Sequence, residues 1–189
     1  MKQTKLNMLI FMALCCTLGL FVKKLVNPLA NVITEALHIP GGISTGFSIM
    51  FLVIAVEIVM MKRSGLMMGF VQGFLALALG RIGSMGALAP LGYIVPGMTI
   101  DFVYSLQKYL KLSRTERMVL ANGLAAVMAS VTANMLVFHL SGPVLWLYLC
   151  VSLTSGSIYG YLGSLIVVRL CPVYNQYGMS ERKEIYEKA

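Results

Sequence analysis

Three carboxylates stand apart from the rest of this chain: Glu35, Glu57 and Asp101. Glu116, Glu181, Glu184 and Glu187 lie in charged stretches and read as solvated, whereas these three fall in or beside long apolar runs. An ionised carboxylate there costs on the order of 3 kcal/mol even on permissive insertion scales, so each must pair, snorkel or bind something. Asp101 is expected to face inward, its partner a ligand cation, the amide of Asn122 or a nearby basic residue. Glu57 is close enough to Lys62 to snorkel or pair with it. A second group has the chemistry of a binding pocket: Glu35, His38, Arg81, Tyr93, Asn134, His139 and Trp146. Carboxylate, imidazole, guanidinium, amide and aromatic groups from different segments, at similar height by their distance from segment ends, suit hydrogen bonding and stacking on a small molecule. Tyr93 and Trp146 also have an interfacial-belt explanation, and a neighbouring helix can satisfy the amide of Asn134. His38 and His139, with no H-x-x-H spacing and no cysteine companion, make a poor metal or haem ligand set.

The elements that must position these groups are apolar helices. The chain is 58% hydrophobic and 12% charged, with mean hydropathy +0.82. A soluble domain keeps about a quarter of its residues charged. Six stretches approach the roughly 20 apolar residues of a spanning helix: 6–26, 45–61, 65–80, 88–106, 117–139 and 143–169. The second and third are joined by a three-residue turn and form an antiparallel hairpin; the sixth is long enough to tilt or to break near Thr154-Ser155-Gly156. Threading these as spans puts Lys2, Lys5, Lys62, Arg63, Lys108, Lys111, Arg114, Arg117, Arg169, Arg182, Lys183 and Lys188 on one side, leaving only Lys23, Lys24 and Arg81 on the other. Basic residues are retained in the cytoplasm, so the expected fold is an all-α, six-span bundle with both termini cytoplasmic and a cytoplasmic tail at 172–189. The net charge of +8 is spread over loops and tail, suiting anionic lipid better than nucleic acid. One domain over 1–189 accommodates the whole pattern.

The connection at 27–44, NPLANVITEALHIPGGIS, is the exception. It is too polar to span, and between its prolines Leu29, Val32, Ile33, Ala36 and Leu37 recur at helical spacing. A short amphipathic helix there reads either as a lid over the bundle or as an interfacial helix. Among catalytic signatures there is no HExxH, P-loop or CxxC, and no dense intramembrane charge of the kind an antiporter carries. Cys15, Cys16, Cys150 and Cys171 read as small hydrophobes, and neither a metal nor a resident cofactor is expected. The fourteen methionines are compatible with haem ligation but suit adaptable packing better.

Three segments resemble the substrate-binding (S) components of energy-coupling factor (ECF) importers, prokaryotic ABC-type systems for micronutrients. They are the outer loop ending HIPGGISTGFS; the run GLMMGFVQGFLALALGRIGSMGALAPLGYIVPGMTIDFVYS, with its glycine-spaced third span and Pro-Gly-x-x-x-Asp pattern; and the first span, where an Ala-x-x-x-Ala docking face reads Ala13 and Thr17. Thr17 departs from that pattern, although Ala13, Cys16 and Thr17 keep a stripe of small residues. The resemblance implies a multi-pass protein of a prokaryotic cell membrane that captures a vitamin or related molecule beneath the 27–44 loop. A shared transmembrane (T) subunit and two ATPase subunits would drive uptake, with Ala13, Cys16 and Thr17 as the docking face and Glu35, His38, Arg81, Tyr93, Asn134, His139 and Trp146 as the binding set. The general layout is also similar to the branch for thiamine or its pyrimidine precursor, and a flat tetrapyrrole such as haem is compatible as cargo. The alternative from the residues themselves is a small integral membrane enzyme acting on a lipid-soluble substrate, with Asp101 or Glu57 essential; a membrane subunit without a ligand is a third.

Overall fold

A computed structural model describes the backbone of residues 2–36, 43–80, 86, 88–139 and 141–187. The described residues form six α-helices: α1 (Lys2–Ala36), α2 (Ile43–Val59), α3 (Ser64–Ala78), α4 (Leu91–Leu110), α5 (Arg114–Ala133) and α6 (Pro143–Glu187), with a π-helical turn at Asn134–Phe138 closing α5. Apolar stretches within α1 (Leu6–Ala30), α5 with its π turn (Arg114–Val137) and α6 (Pro143–Cys171) are long and apolar enough to cross a membrane, and α2 and α3 are shorter apolar helices. Polarity is distributed inside out. Leu14, Phe21, Phe74, Phe102, Met135, Trp146 and Ile158 are exposed, while Ser48, Gln72, Arg117, Asn122, Ser130 and Ser152 are buried. An exterior of large apolar side chains around a partly polar interior is stable where the solvent is hydrocarbon, and the chain is a multi-pass membrane protein on this evidence.

α2 forms the axis. Six consecutive residues, Leu52 to Glu57, are each no more than 5% exposed. At 3.6 residues per turn they cover the whole circumference, so α2 is enclosed on every side. α1, α5 and α6 pack along it, and the outer helices follow one another in the order α1, α3, α4, α5, α6. Close approach depends on glycine. A Cβ on Gly65 of α3 would lie 2.6 Å from the Gly97 carbonyl of α4, and one on Gly46 of α2 would lie 2.9 Å from Gly156 Cα of α6. Only a missing side chain lets backbones meet at those distances.

Two helices differ from the sequence expectation. Residues 27–36 do not form a separate loop helix: α1 runs straight through Pro28. Proline removes one main-chain donor, and apolar helices tolerate that loss when neighbouring residues hold the helix on both sides. The remainder of the expected lid, 37–42, lies outside the described residues. In α6 no break occurs at Thr154-Ser155-Gly156. The Thr154 hydroxyl donates to the Cys150 carbonyl and that of Ser155 to the Ser152 carbonyl, satisfying both within the helix. α5 starts on a capping box that the sequence carried as Ser-x-x-Glu: Glu116 N donates to Ser113 Oγ (3.4 Å), and Ser113 N donates to Glu116 Oε2 (2.9 Å). Glu116 is thus a capping residue as well as a solvated one.

Candidate functional site

Two clusters of polar groups stand out in the bundle, beside single buried side chains such as Gln72, which donates to the Cys16 carbonyl at 3.1 Å. In the first, at the end of α2, Glu57 meets Arg117 of α5 and Tyr104 of α4. Arg117 Nε donates to Glu57 Oε2 at 3.0 Å, Nη2 donates to Oε1 at 2.5 Å, and the Tyr104 hydroxyl donates to Oε2 at 2.8 Å. Arg114 Nε stands 3.4 Å from Oε1, and the Arg117 guanidinium lies over the Tyr104 ring, 5.3 Å from its centroid. Glu57 and Arg117 are 5% and 4% exposed, so the pair is closed to solvent and fully engaged. The expected partner Lys62 is not the one used, because α5 carries Arg117 directly against α2. Arg117 is correspondingly a buried ion-pair residue rather than a loop cation.

Asp101 lies in the same half of the molecule, and its partner is none of those expected. Oδ1 accepts from Gly65 N at 2.9 Å and Oδ2 from Leu66 N at 2.8 Å. The carboxylate therefore caps the start of α3, taking two donors that no turn of that helix can satisfy and placing its charge at the positive end of the helix dipole. Asn122, fully buried, donates instead to the carbonyls of Gly46 (3.1 Å) and Gly156 (2.7 Å), tying α5 to α2 and α6, while its Oδ1 has no partner among the described residues.

The second layer is uncharged and belongs to α5 and α6. Ser130 Oγ and Ser152 Oγ share a hydrogen bond of 2.5 Å, Tyr148 hydrogen-bonds Ser130, and one turn beyond Ser130 stands the buried Asn134. Asn134 opens the π turn, which His139 N closes by donating to the Asn134 carbonyl at 2.8 Å. π turns interrupt α-helices mostly where a side chain has to be re-aimed, often at functional sites. Ser130 and Asn134 on α5, and Tyr148 and Ser152 on α6, are each four residues apart. Polar residues recurring at that spacing in apolar helices were the available signal for three members that sequence reasoning passed over.

The described members of the sequence-derived pocket set stand in different environments. Asn134 belongs to the neutral layer. His139 is exposed in a left-handed conformation at the end of the π turn, and Trp146, 70% exposed, projects from the outer face of α6. Tyr93 is half-buried under Lys23 of α1, whose Nζ lies 5.0 Å from the ring centroid. Glu35 sits in the last turn of α1, its side chain outside the described set together with His38 and Arg81. On the docking stripe, Ala13 and Thr17 are exposed, but Cys16 faces inward, 1% exposed, its thiol 3.7 Å from the Met68 carbonyl of α3. Thr17 also borders an apolar groove of about 520 Å³ between α1 and α3, with Leu14, Phe21 and Leu75 among its walls. Among the described residues no three His, Cys, Asp or Glu side chains gather into a metal site. Comparison with protein-family models, curated proteins and solved structures finds no match for this chain.

Proposed function

We propose that the chain is the substrate-specific membrane subunit of an ECF-type importer. It would span a prokaryotic cell membrane six times with both termini in the cytoplasm and capture a vitamin or vitamin precursor at the outer face. The observation that carries this reading over a membrane enzyme is the engagement of both described intramembrane acids: each oxygen of Glu57 and Asp101 already accepts from the protein. An enzyme built on these acids needs one of them available to a substrate. The neutral layer of Ser130, Asn134, Tyr148 and Ser152 is buried and bonded to itself, so a cargo there would have to exchange uncharged hydrogen bonds, which suits a molecule of low charge such as a pyrimidine. Ala13 and Thr17, small and uncovered on α1, suit a helix of the shared transmembrane subunit.

The test is mass spectrometry of what copurifies with the tagged chain from its own host in mild detergent. Two ATPases and a large transmembrane protein should be recovered and should be lost on Ala13→Trp, while Asp101→Asn lowers yield but keeps the partners. Recovery of the chain alone after cross-linking, with activity abolished by Asp101→Asn, would transfer the assignment to the enzyme.

A further inference from the structure

The turn between α2 and α3 holds two cations that the ion-pair layer does not use. Arg114 and Arg117 reach Glu57, but Lys62 and Arg63 are exposed and form no ion pair among the described residues. Both line a cavity of about 590 Å³ between this turn and the C-terminal half of α4, with Met60, Met61, Gln107 and Tyr109 also in its wall. Asp101 borders it too, but both of its oxygens are taken by the Gly65 and Leu66 amides. Lys62, Arg63 and Asp101 leave the lining with one net positive charge, and the α3 amides that could have bound an anion are already occupied. Recognition there belongs to side chains.

The backbone bears on the same point. Met60 (φ 52°) and Arg63 (φ 61°) both adopt the left-handed conformation, which glycine takes at least cost. Each instead carries a long side chain that lines the cavity, one apolar and one cationic. The cavity is thus amphipathic, and it sits where the apolar part of α2 gives way to a basic turn.

We infer that this cavity binds an anionic phospholipid, with Lys62 and Arg63 on the phosphate and Met60 and Met61 along the first methylenes of an acyl chain. Basic recesses between helices at a membrane surface have the chemistry for such headgroups. In the orientation proposed above the lipid belongs to the cytoplasmic leaflet, but binding itself does not depend on that reading.

The probe is phosphatidylglycerol, presented with an equal amount of phosphatidylcholine to the purified full chain and read by native mass spectrometry. Wild type should retain phosphatidylglycerol preferentially, and Lys62→Gln with Arg63→Gly should weaken that retention about 30-fold, from the usual contribution of two basic residues near a lipid surface. Arg63→Gly alone should weaken it about fivefold while leaving the melting temperature in neutral detergent unchanged or raised, because glycine relaxes the turn. Equal retention of the two lipids by wild type, or an unchanged preference in the double variant, overturns the proposal. Displacement of the lipid by excess inorganic phosphate would also overturn it, assigning the same cations to a soluble phosphate compound. Partner recovery is a separate readout, so failure here and failure of the importer reading are distinguishable.

Discussion

Glu57 and Arg117 hold each other in a low-dielectric interior, and such a pair is worth most when compared with its own halves. Removing one partner leaves a buried charge without compensation, at about 3–5 kcal/mol, whereas replacing both with apolar groups of similar size is far cheaper. Glu57→Leu and Arg117→Met are each expected to lower stability in detergent strongly, and the double variant to fall well short of their sum. A double variant that costs the full sum would show that the two side chains do not depend on each other. At Trp146 the expectation is spectroscopic. It is the chain's one tryptophan and is 70% exposed on α6, so lipids brominated along the acyl chain should quench most of its emission. Strong protection from brominated lipid would instead return Trp146 to a closed pocket.

Between elements, the crossing of α3 and α4 is governed by a missing side chain and a carboxylate at one place. A Cβ on Gly65 would meet both the Gly97 carbonyl and Asp101 Oδ1, at 2.6 and 2.9 Å, so Gly65→Ala forces the helices apart and loosens the α3 cap. Overpacking of this kind costs about 1–3 kcal/mol and should appear as a lower melting temperature. Gly80→Ala, where no atom of the described residues lies within 4 Å but φ is +65°, should lose only the left-handed preference of glycine, roughly 1 kcal/mol. A Gly65→Ala protein as stable as wild type would mean that α3 and α4 can separate freely. Helix starts were legible in the sequence to within a few residues, because apolar runs of this length can do little else in lipid, but α1 and α6 continue well past the expected ends at 26 and 169. Partner choice was not. Asp101 was recognisable as a group needing a partner, but that its partner is the start of α3 depends on where a three-residue turn directs that helix. Glu57 was assigned to the nearest cation in sequence, whereas Arg117, 60 residues away, is nearest in space. Pro28 was taken as a boundary because proline ends helices in water, and the apolar residues on both sides of it allow α1 to continue. The neutral layer was half visible: Asn134 stood out as an amide, while Ser130, Tyr148 and Ser152 are too common in membrane helices to stand out singly.

Across the whole molecule, the two polar clusters differ in charge: ion pairs and a charged cap in one, hydroxyls and an amide in the other. Under the proposed function, that difference would keep the bundle rigid at the charged cluster and adaptable at the neutral one. The chain should therefore respond to the two kinds of change differently. Ser130→Ala with Ser152→Ala removes both hydroxyls of one bond together, so its cost should be confined to the Tyr148 hydroxyl that loses Ser130, about 1–3 kcal/mol, and it is expected to weaken retention of whatever small molecule copurifies. Unchanged retention would move the binding site away from this layer.

The unequal lengths of the helices have a mechanical effect on the surrounding lipid. α3, on the perimeter, has 15 residues and is about 22 Å long, while the apolar part of α6 has 29 and reaches about 43 Å. Against a hydrocarbon core of about 30 Å, the first is too short and the second must tilt. The bilayer is drawn thin along one flank and displaced along another, so the protein sits in an elastic dimple of its own making. That deformation relaxes when a second protein covers the thin flank or when the membrane itself is thinner. Bilayer thickness thereby becomes a variable that sets where in the membrane this chain collects and how readily it finds company there.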